Sequence, residues 1–143
     1  MAALTAPRSP SRRGDVAYAH KGVPMAASTT IFRGGMVDKA ASGGMFKPAA
    51  TNTTDKCQGV ALETKTNGAV AGATSIQIAT GVHNMNNSSA GDQITAADIG
   101  NDCFVVDDNT VARTNGGSTR HVAGKVWDVA PDGTVDVLFA VDA

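Results

Sequence analysis

The sequence predicts an all-β protein, a small β-sandwich or barrel-like domain with one short helical turn and an extended N-terminal arm. Three observations predict this fold class. Short runs of alternating apolar and polar residues recur along the chain. Turn-forming Gly, Pro, Asn and Asp residues separate these runs. The one helical signal is interrupted almost at once by Gly100, so no helix of useful length is expected.

The first fourteen residues differ in composition from the rest of the chain. They are rich in Pro, Ser and Arg and have little to bury, so the entropy of ordering them is not repaid within one molecule. We therefore predict a flexible basic arm, residues 1–14, followed by a single β-rich domain, residues 15–143. An arm that orders on a neighbouring subunit and a disordered tail both fit this composition, and tails are the more common outcome.

Four runs are the main strand candidates. Residues 29–38 carry apolar side chains on both sides of Gly34-Gly35, which predicts a bulge or a tight bend. Residues 57–64 form a second run. Residues 74–82 and 134–141 alternate with the period of a half-buried strand. The apolar residues that share one face in these last two runs are Ile76, Ile78, Val135, Val137, Phe139 and Val141.

Turn formers connect these runs. Asn67-Gly68 and Asn115-Gly116-Gly117 supply residues that tolerate positive φ, and Pro131-Asp132-Gly133 combines a fixed φ with a permissive glycine. The helical turn is expected at residues 95–99. There Thr95 can cap the turn and Asp98 lies in it favourably.

The densest acidic group is Asp107-Asp108-Asn109. A calcium loop needs oxygen ligands at alternate positions followed by a glycine, and this spacing fails after the second position. A tight turn between strands at residues 103–106 and 110–113 explains the same residues, because Asp and Asn side chains bond the nearby backbone.

No motif in the sequence indicates a reaction centre or a cofactor site. His20, His83 and His121 are far apart and form no spaced metal pair, and the glycine pairs do not form a phosphate-binding loop. GxSxG is absent. We therefore predict that the protein is not an enzyme and binds no cofactor or metal.

Cysteine content and hydropathy bear on the compartment. Cys57 and Cys103 are too few for a disulfide framework and lack zinc-site spacing, so a reducing compartment is the simpler interpretation; whether the two meet stays open. No apolar run approaches the roughly 20 residues of a membrane span, and no signal-peptide core is present. A soluble, unsecreted protein without a membrane partner is expected.

Charge and one aromatic residue indicate the candidate contacts. The formal net charge is −1, which makes nucleic acid an unfavourable partner for the whole chain. The arm nevertheless carries Arg8, Arg12 and Arg13 without an acid, which leaves a weak nucleic-acid hypothesis for the arm alone. Trp127, the only tryptophan, fits either the core or an interface.

Two further arginines lie beside a glycine pair. Arg113 and Arg120 flank Gly116-Gly117 and could bind an anion. On a negatively charged body, they are better explained as partners of nearby Asp residues or as solvated surface.

Several stretches follow one another in a distinctive order: YAHKGVPMAASTTIFRGGMV, CQGVALET, SIQIATGV, then ITAADIGNDCFVVDDNTVARTNGGSTRHVAGKVWDV and a final apolar strand. This order, over residues 18–141, resembles the capsid cement or head decoration proteins of tailed bacteriophages. The most specific parts are AGKVWDV and ADIGNDCFVVDDNTV, which is similar to the family run D-[IL]-G-x-x-[CV]-[FY]-V-x-D-x-x-T-V. The basic arm ending at Arg13 departs from the shorter starts of the family.

The resemblance implies a β-rich virion protein, made in the host cytoplasm, that binds the outer surface of the phage capsid as a homotrimer. It would stabilise contacts between major capsid protein subunits, and the family has no catalytic residues to carry over. The candidate contacts with the capsid or between subunits are Arg8, Arg12, Arg13 and Trp127. A tail, fibre or receptor-binding module is the alternative, and a small β-barrel enzyme or carbohydrate binder would need a concave polar pocket.

Overall fold

The computed structural model describes residues 19–139, and within this range the chain is built almost entirely from short strands. The predicted all-β class is therefore confirmed, with a closed barrel beside an open sheet. The arm, residues 1–14, lies outside the described residues. The strands are β1 His20–Pro24, β2 Thr30–Ile31, β3 Met36–Lys39, β4 Phe46–Pro48, β5 Lys56–Ala61, β6 Lys65–Thr66, β7 Ser75–Ala79, β8 Gly81–Asn87, β9 Asp102–Val105, β10 Thr110–Ala112, β11 Val122–Val129 and β12 Val135–Phe139.

The first half of the described chain forms an open sheet in the order β1-β7-β5-β3-β4, with all neighbours antiparallel. Its two edges approach each other at a single point, where Met25 and Phe46 form an isolated bridge. Strands β2 and β6 form a separate antiparallel pair.

The second half forms a closed barrel in the order β10-β8-β12-β11-β9. Its strands pair antiparallel except for β8 and β10, which are parallel. The chain enters the barrel directly from the open sheet, because only Thr80 separates β7 from β8. Gly81 adopts φ 101°, a conformation that glycine adopts easily, at this crossing.

Two apolar clusters fill the molecule. One occupies the barrel and includes Met36 and Val60 of the open sheet, whereas the next residues along each strand, Val37 and Ala61, belong to the other cluster. Because neighbouring residues of a strand point to opposite faces, β3 and β5 are buried on both sides. The open sheet is thereby packed against the barrel.

A buried ion pair also joins the open sheet to the barrel. Asp38 lies on β3 and is fully buried, and His121 directly precedes β11. Nε2 of His121 lies 2.9 Å from Oδ1 of Asp38, and Nδ1 lies 2.8 Å from the backbone oxygen of Asn52. With Asp38 ionised, both ring nitrogens face acceptors, an arrangement that a doubly protonated and positively charged ring satisfies.

The surroundings of His121 agree with a charged ring. Burial by itself lowers the pKa of His121, but the hydrogen bonds to Asp38 and Asn52 outweigh it, so the pKa lies above its ordinary value. The negative charge of Asp55 adds to the same effect. Asp55 is in turn paired with Lys47 at 2.8 Å, so the loop before β5 is held by His121 at Asn52 and by Lys47 at Asp55.

Most sequence-based predictions about local structure are confirmed. Residues 74–82 and 134–141 contain β7 and β12, whose inward-facing residues within the described chain are at most 1% exposed. The segment 29–38 bends at Gly34, where φ is 87°. Strands β9 and β10 flank the turn at Asp107-Asp108-Asn109, and the backbone N–H of Asn109 donates to the Asp107 carboxylate at 2.8 Å.

The predicted helical turn is a 3-10 turn, Ala96–Asp98, with a capping box between Thr95 and Asp98. A second 3-10 turn, Ala90–Asp92, was not predicted; its N-cap residue Ser89 makes no side-chain cap hydrogen bond, and none of its residues is buried. Within residues 19–139, no helix is long and apolar enough to cross a membrane.

One turn prediction is wrong. Neither Asn67 nor Gly68 adopts positive φ. Asn67 is instead buried, and its side-chain amide donates to the backbone oxygens of Met25, Ala26 and Val70 at 3.0–3.1 Å. Here the side chain, and not backbone freedom, is the reason for asparagine.

Candidate interaction surface

Trp127 lies on the outer face of the barrel. It is 59% exposed, so the core alternative is wrong. The pairing of β11 with β12 shifts between Val126 and Asp128, which leaves Trp127 as the extra residue of a β-bulge. The bulge interrupts the alternation of the strand and presents the indole to solvent beside the buried Val126.

Apolar residues of neighbouring strands share this outer face. Val82 on β8 is directly opposite Leu138 on β12, and Leu138 is directly opposite Lys125 on β11. Val82 is exposed and Leu138 is half-buried. We call Trp127, Val82 and Leu138 the Trp127 face. Such apolar surface on the outside of a closed barrel is a candidate contact surface.

A pair of carboxylates borders the Trp127 face. Asp128 follows the bulge and lies directly opposite Asp136 on β12. The hairpin turn fixes this register: the backbone N–H of Ala130 donates to Thr134 at 2.8 Å, and that of Gly133, at φ 89°, donates to Ala130 at 2.9 Å. The predicted turn at residues 131–133 therefore places two like charges side by side.

Charge is divided unevenly between the two halves of the described chain. Residues 19–80, which form the open sheet, carry six basic and three acidic side chains. Residues 81–139, which form the barrel, carry three basic and eight acidic side chains. With neutral histidines, the two halves have net charges of +3 and −5, so the molecule is strongly polarised although its total charge is −1.

The basic half has its own pair of like charges. Lys39 on β3 lies directly opposite Lys56 on β5, and both side chains are exposed. Within residues 19–139, neither lysine makes an ion pair, in contrast to Lys47 and Lys65 of the same half.

The other residues considered from the sequence are part of the structure of the domain. Arg120 pairs with Asp92 at 2.9 Å, as one of its two interpretations predicted. Cys103 is buried and Cys57 packs against the same apolar cluster, and both are free thiols. Burial raises the pKa of the Cys103 thiol to about 12, so it is not a reactive thiolate near neutral pH.

Two features bear on the chemistry of the described chain. Within residues 19–139, no group of three or more His, Cys, Asp or Glu side chains could hold a metal ion. An open depression of about 390 Å³ is lined by Phe32–Gly35 and by Asp108 and Asn109. Burial and the neighbouring Asp107 raise the pKa of Asp108, which has no histidine or second carboxylate in the lining. The polar side chains of the lining are Arg33, Asp108 and Asn109.

The chain matches no protein-family model, and neither curated protein sequences nor solved structures contain a significant match. The resemblance to head decoration proteins therefore stays a prediction that rests on the residues quoted for it.

Of the four candidate contacts, Trp127 is placed on an exposed surface, whereas Arg8, Arg12 and Arg13 lie outside the described residues. Two pairs of like charges were not predicted from the sequence, one beside Trp127 and one in the other half of the molecule. The pairing of Asp128 with Asp136 had a signal, because strand runs flank a three-residue turn. Lys39 and Lys56 lie opposite each other on β3 and β5, and β4 lies between these two strands in the chain. No local sequence pattern predicts the register of this strand pair.

Proposed function

We propose that this chain is a structural protein of the virion that binds the outer surface of a phage capsid and stabilises contacts between major capsid protein subunits. The observation that carries the proposal is the 59% exposed Trp127 on the outer face of a closed barrel, an anchor for a contact with a capsid subunit or with another copy bound to the capsid. The likeness of ADIGNDCFVVDDNTV and AGKVWDV to the decoration-protein pattern supports the same function, and Trp127 lies within the second of these segments.

The barrel suits this task for a physical reason. A binding contact takes most of its energy from a few large anchors, and tryptophan is prominent among them. Closure of the barrel holds the strand that carries Trp127 on both sides, by β12 and β9, so the anchor is positioned before binding. A positioned anchor loses less entropy on binding than a flexible one.

Stabilisation of the capsid follows from mass action. A protein that binds the mature shell but not its dissociated subunits shifts the equilibrium towards the shell. If each copy links neighbouring capsomers and associates into homotrimers, several contacts must break before one capsomer separates. The arm, with Arg8, Arg12 and Arg13, would add contacts to acidic groups of an adjacent subunit. None of these steps needs catalysis, a cofactor or a metal.

The test is binding to purified phage heads that lack this protein. We expect the full chain to cosediment with expanded heads and to raise their resistance to heat. Trp127→Ala should lower the occupancy, because it removes an anchor from the contacts that hold copies on the head, whereas Val70→Ala should not, because Val70 is 68% exposed but lies in the other half of the molecule. Wild-type protein that neither binds heads nor protects them would refute the proposal. Electron microscopy that located the chain at the tail would favour the tail or fibre alternative.

A further inference from the structure

Two pairs of like charges lie at directly opposite positions of neighbouring strands, one pair in each half of the molecule. Asp128 faces Asp136 across β11 and β12, and Lys39 faces Lys56 across β3 and β5. Side chains at such positions have Cβ atoms about 5 Å apart, and like charges there destabilise the sheet. Each pair therefore lowers the stability of the folded monomer.

Neither pair is neutralised within the described chain. None of the four side chains takes part in an ion pair within residues 19–139. Asp136 accepts a hydrogen bond from the neutral amide of Asn84 at 3.0 Å, and Asp128 accepts one from the backbone N–H of Val129 at 2.8 Å. These bonds orient the two carboxylates and leave their charges uncompensated.

The acidic pair adjoins apolar surface that also lacks a partner. Trp127 immediately precedes Asp128, and Leu138 on β12 lies two residues beyond Asp136, on the same face. A contact at this site would bury an aromatic anchor and bring two carboxylates towards the partner. The partner must therefore offer two positive charges at sheet spacing, and the Lys39–Lys56 pair has that spacing.

We infer that the Trp127 face of one copy, together with Asp128 and Asp136, binds the Lys39–Lys56 pair of a second copy. The inference rests on the proposed function, in which copies associate on the capsid, and it assigns the two surfaces that meet. In this contact the two carboxylates of one copy lie near the two ammonium groups of the other. The attraction between them offsets the repulsion within each pair. Charge complementarity of the +3 and −5 halves acts in the same direction.

This contact joins two different surfaces, one on the barrel and one on the open sheet. Contacts of that kind place copies head to tail, and they close into rings when the rotation between copies permits. A closed ring uses every acidic pair and every basic pair once. The association is expected to weaken as salt is added, because at 1 M salt the screening length falls to about 3 Å.

The first measurement is the mass of the full-length protein in solution, by sedimentation or light scattering, at low and high ionic strength. We expect a concentration-dependent oligomer at low salt that dissociates at high salt. Asp128→Lys and Lys56→Glu should each weaken association by at least about tenfold. Each also converts a like-charge pair into an opposite pair within the monomer, so thermal stability should be kept or increased. Loss of association in a stable variant cannot be attributed to misfolding.

The decisive variant reverses all four charges, Lys39→Glu and Lys56→Glu together with Asp128→Lys and Asp136→Lys. It should regain the association that either reversed pair alone abolishes. A wild-type protein that stays monomeric at low salt, or a four-charge variant that stays monomeric while folded, would overturn the inference.

Head binding distinguishes this inference from the proposed function. Wild-type oligomers that never bind heads would refute the function and leave the contact between copies intact. A wild-type monomer whose head binding is lost on Asp128→Lys would overturn the inference, because the Trp127 face would then meet the capsid.

Discussion

The open sheet and the barrel differ in how they prevent further strands from pairing with their edges. The barrel has no edge, because its five strands close on each other. The open sheet brings its edge strands β1 and β4 together at one bridge only. Each edge strand carries a lysine and a proline, namely Lys21 and Pro24 on β1 and Lys47 and Pro48 on β4. Proline has no backbone N–H to extend a ladder, and edge lysines oppose strand addition.

The difference indicates how each half can meet other molecules. Strand pairing closes the barrel around its circumference, so contacts there use side chains, and Trp127 is exposed for such a contact. In the open sheet, strand addition is discouraged at both edges, so contacts there also use side chains, which include the charged Lys39 and Lys56 and the exposed Phe32 and Val70. The largest expected effects concern the joint between the halves, and the smaller ones concern each half separately.

The largest effect is expected at the ion pair that joins the halves. His121→Ala would leave Asp38 charged, fully buried and without its cation, which costs about 3–5 kcal/mol in the free energy of unfolding. Urea denaturation followed by far-UV circular dichroism measures this cost. The control is Thr53→Ala, because Thr53 is exposed in the loop that also contains Asn52.

Removing both partners separates the two contributions. Asp38→Leu combined with His121→Leu should be markedly more stable than His121→Ala, because no buried charge is left unpaired. If His121→Ala costs no more than the control, the pair does not hold the two halves together.

The next effect compares two glycines, Gly59 of the open sheet and Gly124 of the barrel, that each lie close to the backbone of a neighbouring strand. An added Cβ would lie 2.4 Å from the backbone oxygen of Ala79 at Gly59 and 2.4 Å from that of Leu138 at Gly124. Gly59 also has φ 150°, which side chains rarely adopt. We expect Gly124→Ala to cost about 2–3 kcal/mol and Gly59→Ala somewhat more. Gly68→Ala is the control, since nothing lies within 4 Å of its Cβ position. Equal stability of all three variants in urea denaturation would contradict the close approach of these strands.

These glycines also indicate what could be predicted from sequence. The burial of Val135, Val137 and Phe139 could be predicted because period-two alternation is a local pattern. The cap formed by Thr95 and Asp98 could be predicted because the two residues are only three positions apart. The pairing of His121 with Asp38 joins residues 83 positions apart and leaves no local pattern. Strand β8, GVHNMNN, is rich in Asn, which disfavours strands, so its place in the barrel depends on its neighbours.

A smaller effect is expected from pH, because the His121 ring must be protonated to donate from both nitrogens. Its pKa in the folded protein lies above the ordinary value of about 6.5. The stability that protonation contributes is therefore fully present below about pH 6.5 and is lost as the pH rises through the folded pKa. We expect the difference in unfolding free energy between wild type and His121→Gln to shrink from about pH 6 to pH 9. Proton NMR of the ring gives the pKa directly, and a value at or below the ordinary one would contradict a charged ring.

The smallest effect compares one exposed ion pair of the barrel with one partly buried pair of the open sheet. Lys125 and Asp102 are both exposed, so Lys125→Met should change the unfolding free energy by less than about 0.5 kcal/mol. Asp55 is only 4% exposed, so Lys47→Met should cost about 1–2 kcal/mol.

Acid distinguishes the two pairs further. Burial raises the pKa of Asp55, but the hydrogen bonds from Lys47 and Asn52 outweigh it, and the pKa lies below its ordinary value. Its contribution is present above the unfolded pKa and is lost as the pH falls through the folded pKa. The cost of Lys47→Met should therefore decrease in acid, measured by urea denaturation at several pH values. A cost that is independent of pH would mean that the ionised Asp55 carboxylate contributes nothing to it, and that the open sheet, like the barrel, gains little from its surface charges.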